Sequence, residues 1–318
     1  MWKEGKKMKK SEFYIPSTNK KNSLHVIMWK PEGEITAILQ ISHGMVEYID
    51  RYDRFATYLA EKGILVVGND HLGHGKSVNS DEELGYFDSN DGSKTIVEDL
   101  YELTKKMKQE YKNIPYFVMG HSMGSFMIRR YIMTYGNEVD GVIIMGTGQQ
   151  PGLMIKLGSM MIAAMKAVKG TRYRSPFLTM LSFGGYNKKF EPARTKSDWL
   201  TKDEAIVDKY ISDKFCSFMF TLNGYKAIFD TFSFIGNPKN IDQIPKELPI
   251  LFASGAEDPV GECGRAVTKI HEIYIKHGIK QVELKLYPTD RHEILGELDY
   301  QTVFANLYEW MQKNIKKA

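Results

Sequence analysis

Two rhythms alternate along the chain. Short, mainly apolar runs at 35–41, 64–67, 116–119, 142–145 and 249–253 have the length of buried strands, and a further strand is expected at 282–287. Between them, apolar residues recur at three- and four-residue spacing, the period of a helix with one face turned inward. Tyr52, Phe55, Ala56, Leu59 and Ala60 form one such stripe, stopped by Gly63, and Ile96, Leu100, Leu103 and Met107 form another. A third follows the run at 116–119 and carries Phe126, Arg130, Ile132 and Met133; further helices are expected at 261–277 and 300–315. Two earlier runs, 12–15 and 24–29, read as strands separated by the turn-forming Ser17-Thr18-Asn19. Strands and helices in this alternation predict an α/β chain with a mostly parallel central sheet and helices on both faces.

The alternation stops after Gly146-Thr147-Gly148 and resumes near residue 249. The intervening stretch is rich in Met, Phe and Tyr, shows no clear buried strand, and has helical patterns at 152–168, 203–212 and 217–230. In the first of these, Met154, Leu157, Met161, Ala164 and Val168 share a stripe, with Lys156, Ser159, Lys166 and Lys169 on the other side. The parsing is a core in two parts, 1–149 and 238–318, interrupted by a helical insertion at 150–237. The pattern shows no internal repeat.

Composition narrows the class rather than the fold. The chain has 318 residues, 42% hydrophobic and 26% charged, as in an ordinary globular protein with an ample core. A net charge of +4 is small for this length, so the Lys-rich ends at 3–10 and 313–317 read as solubilising tails, with no nucleic-acid partner expected. Cys216 and Cys263 form neither a disulfide framework nor a metal-ligand spacing, which suits a reducing compartment. Residues 3–15 lack the continuous apolar stretch of a signal peptide, and no uncharged apolar run is long enough to span a bilayer. The expected location is the cytoplasm.

Candidate chemistry gathers just past the strands, where parallel sheets hold their ligands. Gly120-His121-Ser122-Met123-Gly124 follows one strand and precedes a helix, the setting of a serine nucleophile on a sharp turn. The pentapeptide alone is a weak signal, and a serine needs a base, itself oriented by a third group. Of eight histidines, His292 is the one both late in the chain and placed beyond a strand. His25, His271 and His277 lie within predicted elements, His43, His71 and His74 precede the serine, and His121 adjoins it. Glu257 and Asp258 are both available past the strand at 249–253; the order Ser122, Asp258, His292 belongs to one particular fold and favours Asp258. Asp70-His71-Leu72-Gly73-His74 has too few further ligands nearby in sequence for a metal site, and its glycines do not make a dinucleotide fingerprint.

Together these motifs resemble the α/β-hydrolase fold, and most strongly the monoacylglycerol lipase and bacterial lysophospholipase-like group, of serine aminopeptidase S33 type. The residues carrying the resemblance are His43-Gly44-Met45-Val46-Glu47 with Arg51-Tyr52, then Asp70 to Ser77, and Gly120 to Gly124. They continue in Gly255-Ala256-Glu257-Asp258-Pro259-Val260 and Arg291-His292-Glu293-Ile294-Leu295. Tyr48 stands where many members carry histidine, and Lys214 where proline is usual. The resemblance implies a cofactor-independent serine hydrolase, with an oxyanion hole from the backbone N–H groups of Met45 and Met123. Its implied substrates are fatty-acid esters, monoacylglycerol or lysophospholipid, with no obligate protein partner. It further suggests that the insertion is a cap, with Met154, Leu157, Met161 and Phe218 lining an acyl pocket or touching a membrane or micelle surface. Three rivals remain: a broad short-chain carboxylesterase, a proline-releasing aminopeptidase using Glu191, Asp203 or Glu204 to hold an amine, and a catalytically degenerate binder.

Overall fold

Continuously apolar strands arise where both faces of a sheet are covered, and this chain builds such a sheet. The structure, a computed structural model, describes residues 8–88 and 91–315; the basic ends at 3–7 and 316–317 lie outside the described residues. The strands are β1 (Met8–Pro16), β2 (Ser23–Pro31), β3 (Ala37–Ser42), β4 (Ile64–Asn69), β5 (Tyr116–His121), β6 (Gly141–Met145), β7 (Ile250–Gly255) and β8 (Val282–Tyr287). They form one sheet in the order β1-β2-β4-β3-β5-β6-β7-β8. β2 runs antiparallel to both its neighbours, and every pairing from β4 through to β8 is parallel.

Helices are α1 (Asp53–Ala60), α2 (Gly92–Glu110), α3 (Met123–Tyr135), α4 (Gly152–Lys169), α5 (Pro176–Phe183), α6 (Glu204–Ser212), α7 (Leu222–Ile235), α8 (Pro238–Ile241), α9 (Arg265–Lys276) and α10 (Tyr300–Ile315). The side-chain alternation of strands divides the core in two. Ile38, Val118 and Ile144 face a cluster completed by α2, α3 and α9, whereas Leu39, Phe117 and Ile143 face one completed by α1 and α10. The chain thus has the expected α/β-hydrolase architecture, with the carboxyl ends of β3, β5, β7 and β8 opening on the same edge.

Between β6 and β7 the described residues form helices joined by loops, with one isolated bridge, Arg174 to Thr221, and no strand. That bridge and the Thr221 hydroxyl, which accepts from Gly224 N, start α7 at residue 222 rather than 217. Sequence reading passed over α5, although Ser175 caps it by accepting from Leu178 N and Pro176 opens it. The apolar stripe expected to face inward on α4 is corrected. α4 buries Ile155, Gly158 and Ile162, one step round the helix, because Gly158 admits the Phe229 ring of α7 where a Cβ would overlap it. Met154 and Leu157 are left half exposed. So apolar is this helix on most sides that periodicity does not select its inner face.

Candidate active site

Ser122 sits between the last residue of β5 and the first of α3, with φ 52° and ψ −121°. Positive φ is uncommon for a residue with a side chain and is held only by its surroundings. Here the Ser122 N–H donates to Met145 O at 3.0 Å, while its carbonyl accepts from Ser125 N at 2.9 Å and Ser125 Oγ at 2.6 Å. Two glycines let the strand and helix cross this closely. A Cβ on Gly120 would overlap the Gly124 backbone, and one on Gly124 would overlap the carbonyls of Ser42 and His43.

Of the two acids beyond β7, Asp258 meets the histidine: its Oδ1 lies 2.9 Å from His292 Nδ1. Val260 N also donates to Oδ1 at 2.8 Å, and Ser254 Oγ to Oδ2 at 3.3 Å. Both Asp258 and His292 are buried. Glu257 turns away to Lys189, 3.2 Å from its Nζ. Ser122, His292, Met45 and Phe218 line one cavity of about 730 Å³, together with Met180 and Trp199. Met154, Leu157 and Met161 do not line it; Met161 packs against the core instead.

The Gly44-Met45 loop is held against Ser122 by a polar network that spans the molecule. A Cβ on Gly44 would stand 3.1 Å from Ser122 Cβ. Gly44 N donates to Glu47 Oε1, which also accepts from Tyr52 Oη at 2.9 Å and meets His121 Nδ1 at 3.2 Å. Arg51 joins Glu47 Oε2 at 2.8 Å to Glu293, which it grips bidentately at 2.8 and 2.7 Å. His121 Nε2 reaches the His292 carbonyl at 3.2 Å. The neighbours of Ser122 and of His292 are therefore tied to one carboxylate. Burial penalises the charge on Glu47, but the His121 hydrogen bond and Arg51 outweigh it and hold the carboxyl well below its usual range. Burial likewise disfavours a charged His121, and Glu47 reverses that, raising its pKa. A carboxylate at one ring nitrogen and a carbonyl at the other, each at 3.2 Å, favour the doubly protonated ring of His121.

The early histidines set aside as bases support the same loop from below. His71 N donates to His43 Nε2 at 2.9 Å, so His43 carries its proton on Nδ1 and donates to Gly44 O at 2.8 Å. His71 Nε2 meets Ser42 Oγ at 3.0 Å. Burial lowers the pKa of all three, His74 to about 3, and keeps them neutral. Asp70 is engaged by His25 at 2.9 Å and by the backbone N–H groups of Ile49 and Lys76, both at 2.8 Å. Among the described residues, no three His, Cys, Asp or Glu side chains are grouped to hold a metal ion.

Sequence reading did not assign work to Glu47, Arg51, His121, Glu293 or Trp199. The first four stood inside the motifs quoted above, where spacing along the chain gives no sign that they meet. Trp199 belongs to the insertion and lies against the His292 ring, 5.0 Å centroid to centroid and tilted by 38°. Its carbonyl accepts from His292 N at 3.4 Å, and Leu200 O accepts from Glu293 N at 2.7 Å. Tyr48 hydrogen-bonds Asp213 Oδ2 at 2.6 Å, also in the insertion.

The profile of the family described as "Serine aminopeptidase, S33" matches residues 33–299. Monoglyceride lipase of Rattus norvegicus is 35% identical over 96 residues, 30% of this chain and 30% of the rat protein, so the match spans under a third of that relative. Monoacylglycerol lipase of Mycolicibacterium smegmatis is 23% identical over 295 residues, 91% of this chain and 92% of the other. A solved carboxyl esterase from Bacillus coagulans, in complex with glycerol, superposes with a TM-score of 0.90 at 26% identity, covering 97% of this chain and 100% of that one. No helix among the described residues is long and apolar enough to cross a membrane.

Proposed function

From the premise that this chain belongs to the serine aminopeptidase S33 family, with the α/β-hydrolase fold, we propose that it hydrolyses carboxylic esters of fatty acids through Ser122, His292 and Asp258. The carrying observation is the Asp258–His292 contact at 2.9 Å, with His292 on the wall of the cavity that Ser122 also lines. In this reading Asp258 fixes the proton of His292 on Nδ1, which leaves Nε2 to take the Ser122 proton. Ser122 Oγ attacks the ester carbonyl, and the carbonyl π electrons move to oxygen. The oxyanion lies against the N–H groups of Met45 and Met123. Met123 is the first residue of α3, where helix amides lack intrahelical acceptors and the helix dipole favours negative charge. Each such donor is worth about 3–4 kcal/mol of barrier. Collapse expels the alcohol, which leaves with the proton from His292, and water then attacks the acyl-enzyme with the same residues in the same roles.

Monoacylglycerol or lysophospholipid is the proposed substrate class. Support comes from the apolar side chains of Met45, Met180, Phe183 and Phe218 in the cavity and from the names of the similar lipases. We assign residues 150–237 as the cap, since α5 and the segments around Trp199 and Phe218 close the cavity above Ser122. The exposed stripe of α4 is read as a surface that touches lipid aggregates, with the protein peripheral to them. For the aminopeptidase alternative, Glu191 does line the cavity, whereas Asp203 caps α6.

Ser122→Ala should lower ester turnover by on the order of a thousandfold or more with an unchanged melting temperature. Turnover at the parental rate would remove the mechanism, and a serine that does not react with a fluorophosphonate would favour a binding-only protein. A p-nitrophenyl ester chain-length series, then monoacylglycerol against lysophosphatidylcholine, ranks the substrates. Faster cleavage of prolyl amides than of acyl esters would replace the ester reading with the peptidase one.

A further inference from the structure

A second cavity, of about 790 Å³, lies where the start of α4, the end of α7 and α9 come together. It shares no lining residue with the cavity at Ser122. Ile155, Met160, Phe232, Ile270 and Ile273 give it an apolar lining. Arg129, Lys156 and Lys269 also line it, and no Asp or Glu is among its lining residues. His277 also reaches the cavity, with Nδ1 2.7 Å from Asp242, so that carboxylate is occupied.

Arg129 is the telling residue. It projects from α3, and 2% of it is exposed, so its charge has been taken out of water. A buried charge needs a counter-charge or full hydrogen bonding. Its partners are neutral: Gly148 O at 2.9 Å, Gln149 Oε1 at 3.0 Å, Tyr274 Oη at 3.4 Å and Thr147 Oγ1 at 3.5 Å. The last two are at the outer limit of a hydrogen bond. Arg51, by comparison, is answered by two carboxylates within 2.8 Å. One buried guanidinium is thus neutralised within the chain, while the other faces a cavity with two more cations on its wall.

We propose that this cavity binds a single-chain anionic amphiphile. The head pairs with Arg129, Lys156 and Lys269, and the tail lies along the Ile155, Phe232, Ile270 and Ile273 side chains. A fatty-acid carboxylate and a lysolipid phosphate share this chemistry, and the volume is that of a small-molecule site. The site is separate from the reaction proposed for Ser122 and does not depend on it.

The test uses the whole chain and dodecanoate carrying a diazirine on its tail. Photolabelling should fall on peptides from the start of α4, the end of α7 and α9. Lys156 and Lys269 are exposed, so the double variant Lys156→Glu/Lys269→Glu should fold, turn over a short soluble ester normally, and bind dodecanoate about 10-fold more weakly by calorimetry. Arg129→Met should lose at least as much, with the double variant standing as the control should burial make the Arg129 change unfold the chain. Dodecanamide, with the same tail and no charge, should bind about 10-fold more weakly than dodecanoate. Competition with dodecyl phosphate assigns the head: tighter binding marks a phosphate ligand, weaker binding a carboxylate, and both uphold the site. Labelling confined to peptides 176–184 and 215–219, unchanged affinity in the double variant, or equal affinity for the amide would overturn it.

Discussion

Around Ser122 the polar side chains are buried and answered, whereas in α4 and α5 large apolar side chains stand in solvent. At the sheet edge, Glu47, His121, Asp258 and His292 are each less than a tenth exposed, and each is hydrogen-bonded. In the helices, Leu153 is 69% exposed, Met160 60%, Val168 80% and Met180 62%. The first arrangement fixes atoms, because a buried charge with its partner in place leaves few alternative geometries of similar energy. The second leaves the surface free to meet a partner the chain itself does not supply. Under the proposed function the two regions would divide the work: the sheet edge would set which bond is reached, and the helical segment would meet what carries that bond.

The contrast breaks first at Glu47. Glu47→Gln leaves Arg51 and His121 short of a charge in a buried setting, and removing one partner of a buried pair costs about 3–5 kcal/mol. Arg51 keeps Glu293, so we expect about 3 kcal/mol of lost stability in urea denaturation, and ester turnover down roughly 100-fold as the Gly44-Met45 loop loosens. Normal turnover with full stability would show that the network is not what holds the loop.

Asp290, two residues before His292, is where the sheet edge is itself imperfect. It is fully buried, and burial followed by Asp299 and Glu297 pushes its pKa up to about 7 from an ordinary value of 3.8. The folded state therefore keeps a proton that the unfolded chain gives up. Stability falls as pH rises from about 4 to about 7, and above 7 the full penalty applies. Asp290→Asn should raise the melting temperature at pH 8 by roughly 2–4 °C, about 1 kcal/mol, with little gain at pH 4. An equal gain at both pH values would remove the titration from the account.

The exposed helices should show the smallest effect on the chemistry. Leu153→Ser/Leu157→Ser is expected to change stability by less than about 0.5 kcal/mol and to leave hydrolysis of a soluble short-chain ester within about twofold. Activity on the same acyl group presented in vesicles should drop further, about 5-fold, as about 2 kcal/mol of apolar contact is lost only in part. Equal loss on both substrates would place the stripe in folding rather than in contact with lipid.

Much of the fold could be read along the chain. Strand runs such as 142–145 carry their burial in every residue, and Ser122 and His292 stood just past strands because a parallel sheet leaves its loops there. The start of α7 was less legible, since the bridge between Arg174 and Thr221 that displaces it joins residues far apart in sequence. Chain order favoured Asp258 over Glu257, but both follow the same strand, and what separates them physically is direction in space: one meets Lys189, the other His292.

Local order thus determined the elements, the sheet's alternation and the candidates at its edge, because periodicity and turn chemistry act over a few residues. Tertiary packing alone decided which side of α4 is buried, with Gly158 admitting Phe229 where hydrophobicity offered several faces. It also decided that Arg51 closes on Glu293, a partner 242 residues away, while Arg129 has no carboxylate among its described partners. A charge finds its counter-charge through space, and no spacing along the chain measures that distance.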